Sequence, residues 1–208
     1  RDRNGEMRLF IKRFWGISPR NVYKLPNPYI PRELPGGMDG SKVSQNKTIG
    51  FIGRLEPLKG ILELAKALVS VLPDFPDWKV RIAGQSMPSC ISGSDSGKIA
   101  RQILKDYSAQ VIFEGRVEPN KVKAWLDEID VCVFPSIWES FSYVTLEAAE
   151  AGKAIIATDT GAISEILDHG RAGQIVPPGD IKALADALRK MMADSGMPVS
   201  YTHLTLPT

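Results

Sequence analysis

Two carboxylates, Glu139 and Glu147, lie eight positions apart, separated by Ser140-Phe141-Ser142-Tyr143-Val144-Thr145-Leu146. On one continuous helix they would stand roughly 12 Å apart along the axis, at about 1.5 Å of rise per residue, too far to grip one small group. The preceding residues change that geometry. Val131-Cys132-Val133-Phe134-Pro135 is short, apolar and rich in β-branched residues, and reads as a buried parallel strand. Val144, Ala148 and Ala151 then recur at helical spacing. The segment is a strand, a loop and the opening of a helix, with Glu139 on the loop and Glu147 in the second helical turn, so both can face one crevice. Between them lie the backbone N–H groups of a helix start, with Ser140 and Ser142 as candidate caps. Those donors and the helix dipole favour an anion. Carboxylate, anion cradle and carboxylate together suit a ligand with hydroxyls at both ends and phosphate in the middle.

A second group of residues brings positive charge. Gly53-Arg54 follows the apolar run Thr48 to Ile52, and Lys59-Gly60 opens the next helix. Glycine lets backbone approach a ligand closely, Arg holds phosphate oxygens in a fork, and Lys adds a point charge. Ile61 stands where a Walker loop needs Ser or Thr, and there is no Gly-x-Gly-x-x-Gly, so ordinary dinucleotide binding loses its main support. Taken alone, Arg54 and Lys59 read equally well as solvated surface charges.

Three motifs in order carry a resemblance. Glu139-x7-Glu147 resembles the signature of retaining glycosyltransferases of family 4, which have the GT-B fold. Gly53-Arg54-Leu55-Glu56-Pro57-Leu58-Lys59-Gly60 resembles that family's phosphate-binding loop. Ala157-Thr158-Asp159-Thr160-Gly161-Ala162-Ile163-Ser164-Glu165-Ile166 resembles its next loop. The likeness runs from about Val22 to Met192. It implies transfer of a hexosyl group from a nucleoside diphosphate sugar to an acceptor hydroxyl. Arg54, Lys59 and the amides of Ser142, Tyr143 and Val144 would neutralise the diphosphate, with no metal or other cofactor required. Glu147 would hold ribose hydroxyls. Glu139 would hold the transferred sugar and stabilise positive charge developing at its anomeric carbon. Gly53 would pass close to the donor, and Gly115-Arg116-Val117 matches the loop whose backbone meets the nucleobase. There are two departures from the pattern: Ser142 stands where Gly is common, and Ala162-Ile163-Ser164 replaces Gly-Ile/Val-Pro. Two other readings stay open, a nucleotide-sugar epimerase-like GT-B enzyme and a non-catalytic nucleotide-sugar-binding module.

The elements that must position these groups follow from regular alternation. Strands are expected at Thr48 to Ile52, Lys79 to Ala83, Val111 to Phe113, Val131 to Phe134, Ala154 to Ala157 and Gln174 to Val176. Helices are expected at Ile61 to Leu72, Lys98 to Tyr107, Lys121 to Glu128, Tyr143 to Ala151, Ala162 to Leu167 and Ile181 to Met192. Such alternation predicts an α/β fold with a doubly wound parallel sheet, the Rossmann-like C-terminal half of a GT-B fold, with ligand beyond the strands' carboxyl ends. The 208 residues hold one such domain. Residues 41–194 are assigned to it. Residues 1–40 are expected to be the end of an N-terminal domain plus a Pro-rich interdomain linker, and residues 195–208, which lack Lys, Arg, Asp and Glu, a disordered or non-native tail. The acceptor would bind largely through that other domain, so the chain alone is expected to bind donor weakly and not to transfer sugar.

Bulk composition adds exclusions. Hydrophobic residues make up 43% and charged residues 24%, which does not indicate disorder. The net charge of +2 argues against a nucleic-acid partner. The basic excess lies within Arg1 to Lys42, and Arg8 to Trp15 reads either as a helix leaning on an anionic membrane surface or as the last helix of the preceding domain. Cys90 and Cys132 make no disulfide framework and no metal motif, which points to a reduced, cytoplasmic setting, with peripheral membrane contact if the basic helix touches lipid. His169 reads as a turn residue and Cys132 as an inert core thiol. Trp125 and Trp138 read as packing residues, with Trp138 also placed to border a sugar pocket.

Overall fold

The computed structural model describes residues 46–86 and 94–193, together with residues 12, 13 and 18. Residues 1–32 and 33–208 form separate compact units. In the first, Lys12 and Arg13 are helical. The expectations for the rest of residues 1–40, for Cys90 and for the 195–208 tail lie outside the described residues.

Among the described residues of the second unit, six strands form one parallel sheet: β1 (Thr48–Ile52), β2 (Lys79–Ala83), β3 (Val111–Gly115), β4 (Val131–Phe134), β5 (Ala154–Thr158) and β6 (Gln174–Val176). Their order is β3-β2-β1-β4-β5-β6, the doubly wound arrangement. The helices are α1 (Ile61–Val71), α2 (Ser96–Ile103), α3 (Val122–Asp127), α4 (Tyr143–Glu150), α5 (Ile163–Ile166) and α6 (Ile181–Ala193). None is long and apolar enough to cross a membrane.

Alternation along the strands separates two packed layers. Ile49, Phe51, Val80, Ile82, Val131, Val133 and Ile156 join Leu64, Leu68, Leu188 and Met192 in one core cluster beneath α1, α2 and α6. Gly50 points the other way, toward Trp125 of α3. A Cβ there would come within 2.7 Å of the Trp125 ring, so the missing side chain makes room for the indole. The central strands β4 and β5 are buried at every position, as a sheet covered on both faces requires.

The largest departures from the expected boundaries are in the second helix and the third strand; the other differences are of one residue at an element's end. The second helix begins at Ser96 rather than Lys98, because the Asp95 carboxylate accepts the Lys98 amide (3.0 Å) and caps it. It stops at Ile103, and a separate 3-10 turn covers Lys105–Tyr107. The third strand continues to Gly115, whose carbonyl accepts the Gly84 amide (2.6 Å).

The two tryptophans part company. Trp125 is a packing residue, 5% exposed, with its indole N–H donating to Glu114 Oε2. Trp138 is not: it is 63% exposed, because it lies on the loop beyond β4 where no described element covers it. Cys132 is fully buried, and burial pushes its thiol up to about 12. His169 sits in a left-handed turn conformation (φ 55°), exposed, with Nδ1 3.2 Å from Ser164 Oγ.

What positions a site is the joining of the loops at the carboxyl end of the sheet. The amides of Ile137 (2.9 Å) and Trp138 (3.3 Å) both donate to the Leu58 carbonyl, tying the β4–α4 loop to the β1–α1 loop. Gly60 lies at the same seam with φ 72°, and a Cβ on it would stand 1.9 Å from the Pro135 carbonyl oxygen. Gly60→Ala would meet both the left-handed backbone and that carbonyl. It is expected to cost about 2 kcal/mol or more, read as a lower urea midpoint at unchanged slope. Cys132 is expected to resist iodoacetamide at pH 8 in the folded protein and to be alkylated only in denaturant, as checked by peptide mapping.

Candidate functional site

The strand order reverses between β1 and β4, so the chain leaves these neighbours in opposite directions and a crevice opens beyond their carboxyl ends. A pocket of about 290 Å³, counted out to open solvent, lies there. It is lined by Phe51, Ile52, Gly53, Lys59, Phe134, Ser136, Glu139, Ser142 and Val144. Of the residues expected from the sequence, Gly53, Lys59, Glu139, Ser142 and Val144 therefore come together.

The carboxylate of Glu139 is no ordinary surface charge: its side chain is 9% exposed and paired with the Lys59 ammonium, itself 24% exposed. The second carboxylate oxygen accepts the Ser140 amide (3.2 Å). The two charges face each other across the seam, since Lys59 directly follows Leu58 and Glu139 directly follows Trp138. The β5 side holds the same loop from behind. Thr158 Oγ1 donates to the Ser136 carbonyl (2.5 Å), and the Ala162 amide donates to the Ser140 carbonyl (3.2 Å). Gly161 has φ 52°, and a Cβ there would meet the Glu139 carbonyl at 2.2 Å. The loop carrying Glu139 is thus pinned on both sides by backbone.

Ser142 occupies the N-cap position of α4 with extended backbone, as expected, but its hydroxyl makes no cap. It accepts a hydrogen bond from Thr145 Oγ1 (2.8 Å) within a buried pair. Ser140 is likewise not a cap. The helical ladder begins with the Leu146 amide on the Ser142 carbonyl (3.4 Å), so the earlier amides stand outside it, at the positive end of the helix dipole. A hydroxyl turned to Thr145 leaves more of that helix start for a ligand anion than a capping serine would.

The remaining expected residues, Arg54, Arg116, Tyr143 and Glu147, are not in the lining of the pocket. Arg54 is 62% exposed and approaches Glu56 at 2.9 Å. Arg116, beyond β3, is 64% exposed and 3.7 Å from Glu118. Tyr143 presents its ring edge-on to Phe141, with centroids 5.0 Å apart. Glu147 is half-buried in the second turn of α4. The pocket also contains residues that the chemistry-bearing types did not flag: Phe51, Ile52, Phe134 and Ser136. Their signal is positional, because they are the last two residues of β1, the last of β4 and the second after it, where ligands of doubly wound sheets sit. Leu58, Trp138 and Tyr143, each next in the chain to a pocket residue, are 48%, 63% and 47% exposed.

Comparison with known proteins matches this architecture. The sequence profile of the family described as "Glycosyl transferases group 1" covers residues 46–194. The chain is 32% identical over 162 residues to the lipopolysaccharide core biosynthesis mannosyltransferase LpsB of Rhizobium meliloti strain 1021, covering 76% of this chain and 44% of that protein. It therefore spans less than half the length of this curated relative. Among solved structures, the C-terminal domain of a glycosyl transferase group 1 family protein, LpcC, from Francisella tularensis is 30% identical. Its TM-score is 0.66, with 75% of this chain and 80% of that one covered. Anabaena Alr3699/HepE, solved in complex with UDP, shares the fold at 23% identity and TM-score 0.65, over 76% and 42% of the two chains. With the profile spanning every element from β1 to α6, and a solved C-terminal domain of the same family superposing on it, the chain belongs to the group 1 glycosyl transferases.

Proposed function

We propose that the chain is the donor-binding half of a retaining, family 4 glycosyltransferase that moves a hexosyl group from a nucleoside diphosphate sugar to an acceptor hydroxyl. The observation that carries this reading is the pocket between β1 and β4, where one ammonium, one carboxylate and a helix N-terminus converge.

Each group has a distinct task. The α4 N-terminus and Lys59 receive the diphosphate, and Arg54 adds a second cation by turning from Glu56 toward the pocket mouth. Charge that builds on the departing nucleotide is met by these fixed groups, so the proposed reaction is metal-independent. Glu139 accepts hydroxyls of the transferred sugar and faces the positive charge developing at the anomeric carbon. Glu147 accepts ribose hydroxyls, and the Gly115-Arg116 loop takes the base. The exposed apolar side chains Leu58, Trp138 and Tyr143 lie where the acceptor-binding half would close. The proposed partners are thus a nucleotide sugar and, through that half, an acceptor, with no nucleic acid. A cytoplasmic location, with peripheral membrane contact through the basic residues 8–15, belongs to the same proposal.

Thermal unfolding of the 208-residue chain with UDP, GDP, ADP, their sugar conjugates and NAD tests this reading. A ligand at about 100 times its dissociation constant adds roughly 2.7 kcal/mol, which moves the midpoint by several degrees in a domain of this size. One nucleoside diphosphate and its conjugate are expected to shift it selectively, with or without EDTA. Lys59→Ala and Glu147→Ala should each weaken that binding by about tenfold or more. The folded protein responding to NAD alone, or to no nucleotide, would overturn the proposal.

A further inference from the structure

Lys59 and Glu139 are the charged groups lining the pocket, and they are bonded to each other. That arrangement is fixed by backbone. The residue before each of them belongs to the Leu58–Trp138 hydrogen bond that joins the two loops, and Gly161 backs the Glu139 peptide too closely for it to withdraw. The ammonium cannot serve two anions at full strength. An anion that takes Lys59 leaves Glu139, at 9% exposure, without its cation and facing a like charge, which is costly in a partly desolvated site.

A carboxylate can accept hydrogen bonds but not donate them, so only a ligand that brings hydroxyls or other donors to Glu139 removes that cost. A nucleoside diphosphate that carries a sugar does so. The same diphosphate without the sugar does not, because its terminal phosphate adds negative charge near the place the sugar would occupy. Resting on the functional reading above, we propose that Glu139 is a selectivity residue: through its pair with Lys59 it holds down the affinity for the bare nucleoside diphosphate and so favours the sugar-bearing donor over the product left after transfer. The pair also speeds departure of that product, since Glu139 competes for Lys59 once the sugar is gone.

The direction of the effect is opposite to that of an ordinary binding residue. Removing the carboxylate must tighten one ligand of this pocket. Isothermal titration of the nucleoside diphosphate bound by the wild type, and of its hexose conjugate, is made on wild type, Glu139→Gln, Lys59→Ala and the double variant. Far-ultraviolet dichroism and the unfolding midpoint confirm that each is folded. Glu139→Gln is expected to bind the bare diphosphate about tenfold tighter, the scale of a released charge-assisted contact, and to bind the conjugate no tighter. Glu139→Ala, which lacks the amide, must move both ligands in the same directions. The gain must be smaller in the Lys59→Ala background, because the part that comes from the pair is lost there.

Unchanged or weaker binding of the bare diphosphate by Glu139→Gln and Glu139→Ala would overturn the proposal. So would an equal gain for both ligands, or a gain that is undiminished without Lys59. Those results leave the donor-site reading standing. A wild-type protein that binds no nucleoside diphosphate at all removes that reading, and the selectivity role with it.

Discussion

One carbonyl oxygen, that of Leu58, joins the two loops on which the site is built. By accepting the amides of Ile137 and Trp138 it makes the ends of β1 and β4 a single surface instead of two independent loops. Everything that bears on a ligand is held relative to that seam: Lys59 on one side, Glu139 on the other, and the start of α4 a few residues further on. The close approach of Gly60 to Pro135 belongs to the same contact, as does that of Gly161 to Glu139 on the far side of the loop. Loops held by backbone bonds at fixed spacing keep charged groups in place without relying on flexible side chains, which is the economy a preorganised electrostatic site needs.

The polar groups of the domain fall into two sets with different purposes. Arg81 of β2 bonds to Glu114 of β3 and Glu128 beyond α3, and its guanidinium lies 5.6 Å from the centre of the Trp125 ring. With the indole N–H on Glu114, this set is internally satisfied and fastens α3 to the β2–β3 side of the sheet. Thr158, bonded to the Ser136 carbonyl, similarly fastens β5 to the loop after β4. The second set, Lys59, Glu139 and the first turn of α4, lies at the pocket and is joined by the Lys59–Glu139 ion pair, with the Ser140 amide on the other carboxylate oxygen. A satisfied network stiffens a fold, whereas an exchangeable one offers a ligand contacts to take over.

The sheet and the placement of its strands were legible because hydrophobic alternation and β-branched runs are local properties. Four of the six strands have the bounds that periodicity predicts, and the helices differ mainly at their ends, where a capping carboxylate such as Asp95 decides the first residue. The motif spacing also located the pocket, since loops after β1 and β4 must meet at the switch point of a doubly wound sheet. The two tryptophans show where such reading stops. Both are large apolar residues near predicted elements, yet Trp125 is buried because Gly50 makes room for it, and Trp138 is exposed because its loop ends beyond the sheet. Periodicity puts Trp125 on a helix and Trp138 on a loop, but not the space beside Gly50 that buries the one or the lack of a covering element that exposes the other.

The sequence by itself therefore determined the fold class, the order of strands and helices, and the residue types that meet at the carboxyl end of the sheet, because each depends on periodicity or on spacing along the chain. Only the tertiary structure decided how those residues are engaged. Ser142 stands at the helix N-cap but gives its hydroxyl to Thr145. Arg54 turns outward to Glu56, and Lys59 and Glu139, eighty positions apart, neutralise each other. Such choices are made among partners brought near by folding, and the energies that separate them depend on burial and on backbone contacts between distant segments, neither of which is written in local spacing.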